Sequence, residues 1–263
     1  MTNKLEELLK TKAGKGTLFM CHLIAGFPSE KDSEVVAHAL SKSGADILEV
    51  QIPFSDPMAD GPAIAVASRD ALENGASVEK TLSLIKRIAK KETCPIVIMS
   101  YINPIYSYGI EEFVAAAAKA GASGLIVPDV PFDSEEGKSL LAACAEKNLC
   151  MIPVISPGVP KERLQELARY GTGFVYCTSR QGITGANSTF VADLQKYMTT
   201  VRSVFSLPLG LGFGVKTRAD VARAAELADI VIAGSVFVQA IRSAKSKNAI
   251  ASAVSKTLSA LRR

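Results

Sequence analysis

The sequence predicts an α/β fold, a (β/α)8 barrel with an extra helix ahead of the first strand, and three observations carry that expectation. Eight short runs rich in Val, Ile and Leu recur along the 263 residues, as strands buried on both faces would read. Segments with a 3.6-residue apolar period lie between them. The phrase SGADILEVQIPFSD at 43–56 is echoed by AGASGLIVPDVPFDS at 120–134, each with Gly-Ala before the strand and Pro-Phe after it, which marks a repeated βα unit. An open doubly wound sheet shares the alternation. Yet no GxGxxG follows the first run, and eight units without an extended break suit closure into a TIM barrel. Nothing in residues 1–263 suggests a second domain, and barrels of this length are commonly one.

The elements follow in order. Residues 1–16 alternate charge along an amphipathic helix. The strands are expected at 17–25, 46–52, 95–100, 124–127, 150–155, 173–177, 208–213 and 229–233, each a short apolar run bounded by Gly, Pro or polar residues. The intervening helices are expected at 29–43, 78–91, 111–120, 134–147, 161–169, 193–205 and 218–227, where apolar residues return at helical spacing.

Composition narrows the function classes. The net charge of +4 arises from 30 basic and 26 acidic residues spread along the chain, with no basic block longer than a pair such as Lys90-Lys91. Nucleic acid is therefore a poor candidate partner. The N-terminus lacks an apolar signal core and no stretch reaches ~18 uncharged apolar residues, so a cytoplasmic protein without a membrane span is expected. The cysteines, Cys21, Cys94, Cys144, Cys150 and Cys177, are odd in number and show no CxxC spacing. They read as reduced, buried thiols.

The segment LEVQIPFSDPMADGP (48–62) carries the chemistry. Glu49 sits in a buried apolar run, where a carboxylate costs several kcal/mol unless it is paired or used. Asp60 follows eleven positions later in a loop. Two acids in different environments can hold different proton affinities and divide acid and base work. Strand alternation places Ile47, Glu49 and Gln51 on one face. His22, with alternate neighbours Met20 and Ile24, is either a satisfied core histidine or a polar element of the pocket, while His38 reads as a surface or boundary residue. The last two strands run into Gly212-Phe213-Gly214 and Ala233-Gly234-Ser235-Val236, where glycines and helix starts favour an anion; Gly182 to Gly185 form a third such stretch. No His, Cys and acid share metal-ligand spacing, so no metal is expected. No free His supports a Ser or Cys nucleophile, and no strand interior holds the lysine a Schiff-base aldolase would use. What remains is carbon–carbon or carbon–proton chemistry on a phosphorylated compound by carboxylates.

On these motifs the chain resembles the alpha subunits of tryptophan synthase over nearly its full length. The resemblance rests on LEVQIPFSDPMADGP, AGFPS (25–29), MSYINPI (99–105), VPDVP (127–131), YCTSRQGITG (176–185), GLGFGV (210–215) and VIAGSVFV (231–238). It implies retro-aldol cleavage of indole-3-glycerol phosphate to indole and glyceraldehyde 3-phosphate, without a cofactor in this chain. It further implies Glu49 as mobile acid/base and Asp60 as the group that holds the indole N–H. Met99, Tyr101, Val127 and Tyr176 would border the indole, with His22 where the family usually has an aromatic ring. Gly185, Gly214, Gly234 and Ser235 would hold the phosphate, and Thr184 would close over Asp60. The implied partner is a beta subunit carrying pyridoxal phosphate, in an alpha2beta2 complex, met through the loops at 53–60 and 179–187. Besides His22, the chain departs from the family's usual residues at Gln51, normally Gly, and at Phe27, normally Asp. Gln51 is expected to hydrogen-bond the Glu49 carboxylate, shift its proton affinity or restrict its rotation, and the departures at Gln51 and His22 are expected to slow the lyase. The alternative expectation is a weakened barrel acting mainly as a ligand-responsive activator of the beta subunit.

Overall fold

A computed structural model describes residues 2–179, 188–212 and 214–262. Its nine strands are β1 (Leu18–Ile24), β2 (Ile47–Gln51), β3 (Ile96–Met99), β4 (Gly124–Ile126), β5 (Cys150–Ile152), β6 (Val154–Ile155), β7 (Val175–Thr178), β8 (Leu209–Gly212) and β9 (Ile230–Ala233). All pair in parallel, in the order β5-β4-β3-β2-β1-β9-β8-β7-β6. The two ends of that list are consecutive pieces of the run expected as one strand. Pro153, which has no N–H to give a ladder, interrupts it, and its carbonyl still accepts from Tyr176 N at 2.9 Å. The sheet thus closes, as the eight βα units require.

Closure sorts the strand side chains by parity. Met20, Ile47, Val97, Met99, Ile126, Ile152 and Ile232 point inward and pack together. Their sequence neighbours, among them Cys21, Leu48, Ile98, Leu125, Met151 and Val231, join the layer between barrel and helices. The helices are α1 (Lys4–Lys12), α2 (Glu30–Lys42), α3 (Pro62–Glu73), α4 (Val78–Lys91), α5 (Ile102–Tyr108), α6 (Ile110–Ala120), α7 (Glu135–Glu146), α8 (Lys161–Leu167), α9 (Ser188–Arg202), α10 (Arg218–Leu227), α11 (Ser235–Arg242) and α12 (Lys247–Arg262).

The extra N-terminal helix closes one end. Leu5 and Leu9 of α1 insert among the inward residues. Asn3 caps the helix by accepting from Leu5 N at 2.9 Å and donates to Ser123 O at 2.8 Å and Asn148 O at 2.7 Å, just ahead of β4 and β5. Chemistry is left the opposite mouth, at the strands' carboxyl ends. At the chain's end α12 packs on α2 and α11, and Arg262 bonds Gly44 O and Asp46 in the turn before β2.

Some boundaries differ from the sequence reading. α9 begins at Ser188 rather than 193, and α3, α5, α11 and α12 are additional to the helix ranges expected. α3 opens on Pro62 at its first position, a favoured start that also reads as loop. α5 has seven residues with Pro104 in its first turn, too short for a period to show. All five cysteines are free, and burial pushes the Cys144, Cys150 and Cys177 thiols up to about 12.

Candidate active site

At the open mouth β1 and β2 place His22 and Glu49 directly opposite each other in register, and Ile24 opposite Gln51. Glu49 and Gln51 share the inward face of β2 with Ile47, as alternation predicts. His22, Glu49 and Gln51 are 5%, 3% and 0% exposed, so the barrel buries three polar side chains side by side. His22 Nδ1 lies 3.4 Å from Glu49 Oε2, within ion-pair range but without hydrogen-bond geometry. Among the described residues His22 Nε2, Glu49 Oε2 and Gln51 Oε1 have no hydrogen-bond partner. Each such atom costs ~1–3 kcal/mol, which marks a place shaped for a ligand or a proton.

Gln51 does not bond Glu49, contrary to expectation. Its Nε2 donates to Asp60 Oδ2 at 2.6 Å. Asp60 ends the 53–60 loop, whose path is fixed at two points. Phe54 is clamped by buried Ser68 of α3, whose hydroxyl accepts from Phe54 N at 2.9 Å and donates to Phe54 O at 3.1 Å. Ala59 N donates to the Tyr101 hydroxyl at 3.0 Å, and Phe54 and Tyr101 pack with ring centroids 5.3 Å apart. Tyr101 in turn stands at the start of α5, whose Ile102 N is shared by both Asp129 carboxylate oxygens at 3.0 and 3.2 Å. The two loops that carry Asp60 and Tyr101 therefore brace each other.

Burial raises the proton affinity of Asp60 above the ordinary carboxylate value, and the His22 charge with hydrogen bonds from Gln51 and Tyr101 offsets only part of that. For His22, burial alone would lower the imidazole value. The Glu49 carboxylate, with Asp60 behind it, outweighs burial and the net shift is upward. Burial, reinforced by nearby Asp60, raises the Tyr101 phenol, and burial with Glu49 and Asp60 does the same for Tyr176. Both phenols stay protonated and able to donate.

The rim opposite is built of glycine. β8 ends at Gly212, where a Cβ would come within 2.8 Å of the Tyr176 Oη, so only glycine lets that ring lie across the barrel mouth. Gly214 follows with φ +67°, in left-handed backbone. Gly234 caps α11 and packs against the His22 ring, and Ser235 begins the helix. A helix start flanked by glycines suits a phosphate.

Of the residues singled out from sequence, His22, Glu49, Asp60, Tyr101 and Tyr176 form one cluster, with Met99 packed beneath Tyr101. Gly214, Gly234 and Ser235 stand at the adjacent strand ends. Val127 is not brought to this group; it joins the outer apolar layer, as its parity after β4 dictates. Thr184 and Gly185 lie outside the described residues. Sequence reasoning missed Phe54, Ser68 and Asp129. Phe54 had a signal in the repeated Pro-Phe phrase, whereas a clamping serine and a capping aspartate have none. His38 is an exposed surface residue whose Nδ1 lies 2.6 Å from the buried Glu92 carboxylate. Among the described residues no group of three or more His, Cys, Asp or Glu is placed to hold a metal ion, and no helix is long and apolar enough to cross a membrane.

The family model described as tryptophan synthase alpha chain matches residues 8–262. The tryptophan synthase alpha chain of Syntrophotalea carbinolica is 40% identical over 239 residues, covering 90% of this chain and 92% of its own. That of Halalkalibacterium halodurans is 41% identical over 229 residues, 87% and 85% of the two chains. Among solved structures, tryptophan synthase subunit alpha from Legionella pneumophila superposes with a TM-score of 0.90 at 31% identity, covering 100% and 98%.

Proposed function

The chain belongs to the tryptophan synthase alpha chain family, and from that premise we propose how its own residues carry the reaction. The protein is a carbon–carbon lyase that cleaves indole-3-glycerol phosphate to indole and glyceraldehyde 3-phosphate. Ring carbon C3 must gain a proton, the hydroxyl on the adjoining side-chain carbon must lose one, and the ring nitrogen must carry positive charge in between. As the hydroxyl becomes the aldehyde carbonyl, the electron pair of the broken bond returns to the ring and neutralises the nitrogen. The observation that carries the assignment is the placement of two carboxylates, Glu49 on the barrel wall and Asp60 on a braced loop, in one polar cluster at the open mouth. Glu49 gives the proton to C3 and takes the hydroxyl proton. Asp60 accepts the indole N–H and stabilises the developing cation. Met99, Tyr101 and Tyr176 wall the indole, Gly214, Gly234 and Ser235, with Gly185, hold the phosphate, and Thr184 serves to close over Asp60.

The partner in this reading is a tryptophan synthase beta subunit carrying pyridoxal phosphate, in an alpha2beta2 complex in the cytoplasm that the alpha chain activates. Met58, at the tip of the 53–60 loop, is 93% exposed, which supports that loop as part of the docking face. The test is indole release from indole-3-glycerol phosphate, measured alone and with the beta subunit, for the parent and for Glu49→Gln. Turnover in the parent that falls at least ~10²-fold in the variant is expected for loss of the proton-transfer group. An equally active variant removes Glu49 from the mechanism.

A further inference from the structure

The feature the reaction above leaves unused is the imidazole against Glu49. We propose that His22 is a positioning residue that shares one proton with Glu49 and keeps that carboxyl loaded for delivery to the indole ring carbon. The inference rests on Glu49 being the acid/base of the lyase and deepens that reading.

Geometry carries it. His22 and Glu49 are register partners on adjacent parallel strands, so backbone pairing fixes their separation. Nδ1 and Oε2 stand 3.4 Å apart, both buried. The ring is held from the other side by Gly234, where a Cβ would lie 3.2–3.4 Å from its Cβ, Cγ and Cδ2. The groups facing the pair are Gln51 from β2, Asp60 from the 53–60 loop, Tyr101 from the start of α5, Tyr176 from β7 and Gly234 after β9. Among the described residues of that set, His22 is the one base that can become a cation beside two acids.

The proton count follows. Glu49 must hold a proton when it meets C3 and lack one when it meets the hydroxyl. An imidazolium beside a carboxylate and a neutral imidazole beside a carboxylic acid contain the same single proton, moved from Nδ1 to Oε2. The acid form protonates C3, the carboxylate left behind takes the hydroxyl proton, and the pair returns to its one-proton state. Distances in unliganded sites commonly shorten when substrate arrives. His22 touches no reacting atom in this scheme; it acts through Glu49.

The test is the pH profile of indole release for the parent, His22→Phe and His22→Gln, with thermal melting to confirm that each variant folds. In the parent the alkaline limb should report loss of the shared proton. In both variants that limb should move at least one pH unit lower, with kcat at pH 7.5 reduced about tenfold and KM changed less than threefold. Profiles that superimpose on the parent overturn the proposal. A second readout is independent of turnover. The chain has two histidines, so imidazole titration by NMR in a His38→Gln background follows His22 alone. Its midpoint should lie above 6.5 and drop in Glu49→Gln; a midpoint unmoved by that change overturns the proposal. An active Glu49→Gln enzyme would instead sink the reading of Glu49. An inactive one, with superimposable His22 profiles, sinks the role of His22 alone.

Discussion

Replacing Asp60 by asparagine should abolish the lyase and stabilise the fold, because the same burial that makes the carboxylate useful makes it expensive. The substitution keeps the shape, and the new amide would still accept the Gln51 N–H through its Oδ1. What changes is the charge. In the folded protein the Asp60 proton affinity lies above its ordinary value of 3.8, burial outweighing His22, Gln51 and Tyr101. The folded state therefore binds this proton more tightly than the unfolded chain does. Below 3.8 both states are protonated and nothing is lost. As pH rises through the folded value the ionised form must be accommodated in the barrel mouth, and stability falls.

A gain in stability for Asp60→Asn at pH 7.5, read as a higher Tm, is expected from the direction of that shift. The gain should shrink as pH falls toward 3.8, where both states hold the proton. Loss of the charge that steadies the indole cation should cost at least ~10²-fold in kcat. Calorimetry at pH 4 and 7.5 and indole release measure the two effects. A variant that keeps more than a tenth of parental turnover, or one whose Tm falls at pH 7.5, refutes the reasoning.

Leu5→Ala should lower stability by about 3–5 kcal/mol, since Leu5 is 0% exposed in the end plug and its loss leaves a cavity; denaturant melts should show it while indole release at 25 °C stays within about threefold. Gly212→Ala would place a methyl 2.8 Å from the Tyr176 Oη and tilt that ring into the indole site. KM should rise about tenfold with the fold intact, and an unchanged KM would mean that Tyr176 does not wall the substrate. Gln51→Gly should remove the donor on Asp60 and give turnover above the parent's; a rate at or below the parent's would show that the amide assists Asp60.

What could be read ahead of the structure was whatever depends on period and parity. The eight apolar runs gave the closed sheet, and the step of two along 47–51 put Glu49 and Gln51 on the inner face. The N-terminal helix was visible as an amphipathic segment, but its role as an end plug rests on Asn3 reaching carbonyls more than a hundred residues away. The same limit applies at the site. Ser68 clamping Phe54, and Asp129 capping α5 so that Tyr101 faces Asp60, are contacts between loops after different strands. Nothing local to a serine or an aspartate announces its distant partner. Val127 shows the converse: parity alone would have turned it outward, and the motif that resembled a pocket wall suggested otherwise.

Gln51 shows why parity finds the face and not the partner. Residues two apart on a strand are separated by ~6.6 Å along it, so Gln51 stands well beyond Glu49 toward the barrel mouth and meets the incoming loop at Asp60. His22 is one strand over but level with Glu49, and adjacent strands lie ~4.8 Å apart. The cross-strand neighbour is therefore nearer the Glu49 carboxylate than the residue two positions away in sequence. The two polar side chains of His22 and Gln51 are thus not a single crowding of Glu49. They are two separate pairings, imidazole with Glu49 and amide with Asp60. Asp60 receives an amide N–H at 2.6 Å while Glu49 faces an imidazole at 3.4 Å, so the two carboxylates stand in different electrostatic surroundings, the asymmetry that a reaction divided between two carboxylates requires.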